Sequence, residues 1–229
     1  FGFGCPNRSA DGSGGCAFCP DDGSRSRVVA GARTIEEQVA AGLEFARRRY
    51  RAEHFMAYVQ AFTGTWAPVE KQRTLYNRVM EAYPFEAISI GTRPDCLPAE
   101  TLDLLEGLGQ RARLWVELGV QTSHDGTLRR VRRGHGWKES RSAVRELHMR
   151  GIRVMAHVIV GLPGEGPSHF RRTAAALAGL PVDAVKIHNL HVVRGTELAA
   201  EYAGAPFPVY DEREYAELLI DFLRRLPPG

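Results

Sequence analysis

The chain has 229 residues, 44% hydrophobic and 25% charged, with a formal net charge of +3. That composition excludes a disordered tail, a collagen-like fibre and a coiled coil. The longest run free of Asp, Glu, Lys and Arg, residues 54–69, is too short for a membrane helix. The slight basic excess permits an anionic partner without requiring one.

In chain order, the first feature is a cysteine-bearing segment. Cys5, Cys16 and Cys19 lie in a stretch rich in glycine and poor in apolar residues, with ten residues between the first two and two between the last two. Such a segment cannot hold itself by packing, so a bound group is expected to order it. Three cysteines in one segment leave one over, which argues against disulfides, and thiolates at this spacing suit zinc or an iron–sulfur cluster. Structural zinc normally takes a fourth ligand, and the nearest histidine in sequence is His54. Three cysteines on a [4Fe-4S] cluster would instead leave one iron open, with Phe18 as an apolar face beside it. Spacing alone leaves zinc and a cluster both open.

Beyond it, short apolar runs alternate with amphipathic ones. Strands are expected at residues 55–59, 87–90, 114–118, 154–160 and 184–188. A helix follows Thr34, with Glu37 completing a capping box. Others open at Pro98 and span residues 140–149, 168–180 and 211–226. This order predicts parallel βα units, hence an α/β open sheet or barrel with its chemistry at the carboxyl ends of the strands. The loops there are distinctive: residues 60–65 (QAFTGT), 91–95 (GTRPD), 119–122 (GVQT), 161–165 (GLPGE) and 189–191 (NLH). The chain reads as one domain over residues 1–229, clipped at both ends. His157, among apolar neighbours, reads as structural, while Lys186, His188 and His191 could reach the substrate end of a barrel.

The cysteine pattern ending in Cys16-Ala-Phe-Cys19, followed by βα units, resembles the radical S-adenosylmethionine (SAM) superfamily. Thr92-Arg-Pro-Asp95, Val116-Glu-Leu-Gly-Val-Gln121, Arg133-Gly-His135 and Gly161-Leu-Pro-Gly164 are similar to the catalytic subunit of Elongator, which modifies wobble uridines in tRNA. Cys5-Pro-Asn-Arg8, Gly14-Gly-Cys-Ala-Phe-Cys19 and the QAFTGT loop resemble the bacterial YhcC/YtqA-type proteins still more.

That resemblance implies a partial (β/α)6-type TIM barrel whose first strand ends just before Cys5, with residues 1–4 as its stub. It implies that Cys5, Cys16 and Cys19 each ligate one iron of a [4Fe-4S] cluster and that SAM binds the fourth. It further implies that Gln60, Thr63, Gly64 and Thr65 approach the SAM amino group and that Glu117 and Gln121 meet the ribose or amino group. Arg133 would hold the SAM carboxylate, as an arginine at similar spacing does in the oxygen-independent coproporphyrinogen oxidases. The implied activity is reductive SAM cleavage to a 5′-deoxyadenosyl radical, acting on a wobble-uridine side chain of the 5-carboxymethylaminomethyl type. A tRNA substrate, a flavodoxin or ferredoxin as electron donor, and a cytoplasmic location follow from the same resemblance. Arginines 47–49 with Arg51, and those within residues 129–133, are candidate phosphate contacts. A small-molecule or peptide substrate and a non-catalytic, zinc-bound nucleic-acid-binding protein are the competing readings.

Overall fold

The computed structural model describes residues 3–228. Five strands, β1 (Met56–Val59), β2 (Ala87–Thr92), β3 (Arg113–Gln121), β4 (Arg153–Val160) and β5 (Ala184–Asn189), pair in parallel in the order of the chain. They form a half-barrel, with helices between them. The helices are α1 (Ile35–Tyr50), α2 (Val69–Ala82), α3 (Ala99–Gly109), α4 (Asp125–Arg130), α5 (Trp137–Met149), α6 (Pro167–Ala178), α7 (Glu197–Gly204) and α8 (Glu212–Leu223).

Alternation along the strands divides them between two environments. Ile88, Ile90, Val116, Leu118, Val120, Val154, Ala156 and Val158 pack with Leu105, Val144, Leu147 and Leu177 of the helices in one core. The intervening positions, Ser89, Glu117, Gly119 and His157, are left to the inside of the half-barrel. Thr34 caps α1 as its spacing predicts: its side chain accepts from the Glu37 amide while the Glu37 carboxylate accepts from the Thr34 amide.

The structure adds α2, α4 and α7 to the expected helices. The buried positions of α2 are Gln72 and Tyr76, both polar-tipped, so its apolar periodicity is weak. These two side chains instead pin the loop after β1. Tyr76 Oη donates to the Gly64 carbonyl at 2.7 Å, and Gln72 Nε2 donates to the carbonyls of Thr65 and Ala67 and to Thr101 Oγ1. The Gly64 amide donates to the Gly91 carbonyl at 2.8 Å, and a Cβ at position 64 would sit 2.7 Å from that same oxygen. Glycine is therefore required where this loop crosses the end of β2.

The expected stub at residues 1–4 falls partly on Phe1 and Gly2, which lie outside the described residues. Gly4 is in no strand, but its carbonyl accepts from the Thr63 amide at 3.2 Å, which sets the cysteine segment beside the β1 loop. The last helix is shorter than the expected 211–226: Asp211 is its cap, accepting from the Glu214 amide, and it ends at Leu223. Among the described residues no helix is long and apolar enough to cross a membrane.

Candidate functional site

At the carboxyl ends of the strands lies a cavity of about 320 Å³ lined by Cys5, Cys16 and Cys19. Phe18, Gln60, Thr63, Arg93, Glu117, Gln121 and Arg133 share its wall with the cysteines. The sequence segments that supply them are far apart, and long-range hydrogen bonds bring them together. Ala17 donates its amide to the Val131 carbonyl, and Leu198 donates to the Ala17 carbonyl. The Asn7 amide nitrogen donates to the Arg132 carbonyl at 2.5 Å.

The cysteine segment is held mainly by its arginine. Arg8 donates to the carbonyls of Gly12, Cys19 and Pro20 and reaches Asp21. Burial pushes the Cys19 thiol up, while the Arg8 guanidinium works in the opposite direction. Donors also converge on Cys16, which is 7% exposed: Asn7 Nδ2 at 3.5 Å from Sγ and Arg133 Nη1 at 3.4 Å. Hydrogen bonds and positive charge suit a thiolate or a metal-bound sulfur better than a neutral thiol.

Among the described residues no three His, Cys, Asp or Glu side chains converge as one ion requires. Thiols that each bind a separate iron of a cluster need no such convergence. His54, the nearest histidine in sequence, pairs with Glu86 on the surface. Cys96 is buried in a separate pocket with Trp66, Pro98 and Ala143, where burial raises its pKa to about 12. The donor set therefore fits a cluster held by Cys5, Cys16 and Cys19.

Arg133 is 7% exposed and donates from Nη2 to the Gly119 carbonyl at 2.7 Å, while its Nε is buried without a partner. Gly119 makes room for it, since a Cβ there would collide with the Arg133 guanidinium and lie 2.8 Å from Gln121 Nε2. Gln121 takes a positive φ of 70°, and Thr122 donates to the Val120 carbonyl across it, forming a γ-turn. The register between β3 and β4 slips at this point. The turn ends the strand and keeps Gln121 on the cavity wall beside Arg133.

Glu117 is 6% exposed at the inner end of the cavity. Its Oε1 accepts from Ser89 Oγ at 2.6 Å, and its Oε2 pairs with His157 Nε2 at 2.5 Å and Lys186 Nζ at 3.2 Å. Lys186 also lies 4.9 Å from the centre of the Tyr58 ring. All five strands thus contribute one residue to a single polar layer. Burial alone would raise the Glu117 pKa, but His157 and Ser89, followed by the charge of Lys186, hold it at about 2. His157, expected to be structural, lines the cavity and anchors this layer through Glu117. Strand parity carried the signal, because His157 alternates with the buried Ala156 and Val158 and pairs in register with Lys186.

A carboxylate held this low stabilises the fold at any pH above its unfolded value of about 4.3, and that contribution is lost as the pH falls through about 2. The urea midpoint of the wild-type protein is therefore expected to fall between pH 5 and 2 more steeply than that of Glu117→Gln. Superimposable pH profiles would show that the layer contributes nothing to folding.

The remaining expected residues are distributed unevenly. Gln60 and Thr63 line the cavity, and the Thr63 hydroxyl is buried without a partner. Thr65 lies behind the loop, its hydroxyl bonded to Thr92 Oγ1 and the Cys96 carbonyl, each at 2.5 Å. Gly64 serves the crossing over β2. Lys186, His188 and His191 all reach the cavity. Arginines 47–49 and Arg51 end α1, at the opposite end of the sheet from the cysteines. Arg130 and Arg132 are paired with Glu201 and Glu197. Sequence reasoning missed Asn7 and Arg8 as loop-forming residues with fixed partners.

The profile of the radical SAM superfamily matches residues 1–177, and that of a radical SAM C-terminal domain matches residues 182–229. The uncharacterized protein YtqA of Bacillus subtilis is 39% identical over 99% of this chain and 71% of its own length. A tRNA uridine(34) acetyltransferase of Methanocaldococcus infernus is 30% identical, over 58% of this chain and 25% of its own length. Among solved structures, the archaeal Elp3 of Methanocaldococcus infernus with an N-terminal deletion superposes with a TM-score of 0.74 over 84% of this chain, at 23% identity. The chain spans about half the length of that structure. Superfamily membership implies a 4Fe-4S cluster and SAM, which the donor set described above fits. With its cysteine-lined cavity at the open end of a parallel half-barrel, the chain belongs to the radical SAM superfamily of enzymes.

Proposed function

We propose that this chain is the radical-generating core of an enzyme that modifies the side chain of a tRNA wobble uridine, of the 5-carboxymethylaminomethyl type. The observation that carries the reading is the likeness to tRNA uridine(34) acetyltransferases, 30% identical over 58% of this chain. In this reading Cys5, Cys16 and Cys19 hold the cluster and Phe18 shields it. A cluster held there, reduced by a flavodoxin or ferredoxin in the cytoplasm, would supply the electron for reductive cleavage of SAM to methionine and a 5′-deoxyadenosyl radical.

The protein's own part is to bind, orient and exclude water. Arg133 presents its free Nε–H, with the second N–H of Nη2, as a fork for the SAM carboxylate. Gln60 and the unpartnered Thr63 hydroxyl face the amino group, and Gln121 faces the ribose. A carboxylate has about four acceptor sites. Ser89, His157 and Lys186 occupy three on Glu117, so its main service is to anchor the inner polar layer, with little capacity left for SAM.

The test is mass spectrometry of tRNA nucleosides from a strain lacking the gene. The expected result is loss of one modified wobble uridine and accumulation of its precursor. An unchanged wobble-uridine profile would discard the tRNA substrate in favour of a small molecule or peptide, while leaving the radical chemistry intact.

A further inference from the structure

Arg93 follows β2 directly and is 3% exposed. Its Nε and Nη2 bind Asp95 as a two-point fork, at 2.9 and 2.8 Å. Its third nitrogen, Nη1, is buried and has no hydrogen-bond partner among the described residues. Leaving a charged donor unsatisfied in the interior is costly, so a native structure that does so implies a partner still to come. Arg93 lines the cysteine cavity, and its electrostatic partners after Asp95 are Cys5 and Cys16.

The surroundings are arranged around this side chain. Gly134, at φ +81°, keeps clear a space in which a Cβ would lie 2.7 Å from Asn7 Oδ1 and 3.0 Å from Arg93 Nη2. Asn7 in turn donates to Cys16 Sγ. His135, 9% exposed, stands behind, with burial and then the Arg133 charge holding its pKa at about 4, so it is neutral at pH 7. Arg93 is thus a charge whose orientation is set by Asp95, and its field reaches Cys96 as well as Cys5 and Cys16.

We propose that Arg93 is a positioning residue for the electronics of the cluster, donating from Nη1 to a sulfur of the cluster or of its Cys5 and Cys16 ligands. This rests on the reading that the three cysteines hold a 4Fe-4S cluster. Reduction adds a negative charge to the cluster, so a nearby cation and a donated hydrogen bond favour the reduced state. Asp95 has two effects: it aims the guanidinium and partly cancels its charge. Arg133 already donates from Nη1 to Cys16 Sγ, so Arg93 would add a second cation, aimed by Asp95, beside the same sulfurs.

The experiment is a redox titration of the full chain, anaerobically reconstituted and followed by electron paramagnetic resonance, without SAM. Iron and sulfide contents are measured in parallel, so loss of the cluster is seen separately from a change in its potential. Arg93→Gln is expected to retain the cluster and lower the reduced-to-oxidised ratio at a fixed potential by about tenfold, about 59 mV for a one-electron couple. Asp95→Asn, which leaves the cation uncompensated, is expected to move the ratio in the opposite direction. Opposite shifts support the proposal. Unchanged potentials in both variants, or shifts of the same sign, overturn it, as does an Arg93→Gln protein whose only defect is weaker SAM binding. Loss of cluster from Cys5→Ala, Cys16→Ala and Cys19→Ala is a separate condition. If those variants stay fully loaded, it is the cluster assignment that fails.

Discussion

Cys16→Ala protein, purified and reconstituted without oxygen, is expected to be colourless or nearly so and to form 5′-deoxyadenosine from SAM and dithionite at least about 1,000-fold more slowly, equivalent to about 4 kcal/mol of barrier. Of the three cavity cysteines Cys16 is the most deeply set, and Asn7 and Arg133 both point donors at its sulfur. Removing that sulfur takes away an iron ligand and strands the Arg133 Nη1 donor. Cys96→Ala is the matched control: it deletes a buried thiol of another pocket and is expected to leave colour and activity near wild type. A brown Cys16→Ala protein with full iron and sulfide would mean that the cavity cysteines are not the ligands.

Gly119→Ala is expected to bind SAM at least about 100-fold more weakly, about 2.7 kcal/mol, while keeping its cluster. The added methyl meets the Arg133 guanidinium and the Gln121 amide, so it displaces the two side chains proposed to hold the carboxylate and ribose. Gly119 lies within β3 and is not among the glycines of positive φ, so alanine suits its backbone and the sheet should form. Equilibrium binding of SAM to the reconstituted protein reads the effect directly. A dissociation constant within threefold of wild type would remove Arg133 and Gln121 from the SAM site.

The strands were legible because both sides of the sheet demand particular residues: valine, isoleucine and leucine toward the helices, and the few polar residues toward the barrel interior. The cysteines were legible from spacing and motif. α2 was not, because its inward positions are a glutamine and a tyrosine engaged with backbone carbonyls, and an apolar period does not register that use. The polar layer around Glu117 was half legible. Strand alternation puts Glu117 and Gln121 on one side of β3, and Lys186 and His188 on one side of β5. That His157 and Lys186 meet the same carboxylate follows only from strand register. The environment of Cys16 was invisible in sequence, since Arg133 comes to it across 117 positions through the packing of loops.

The γ-turn at Gln121 has a consequence for affinity. A glutamine in left-handed backbone is about 1–2 kcal/mol less favourable than one in an extended strand. The fold absorbs that strain before any ligand arrives. A long amide side chain free in solution must give up its rotamers on binding, at about 0.5–1.5 kcal/mol. Held beside Gly119 and Arg133, Gln121 has surrendered much of that freedom during folding. Contacts to it therefore form at a lower entropic cost, and Gln121→Gly would yield a more relaxed chain with a weaker grip on the SAM proposed to bind there.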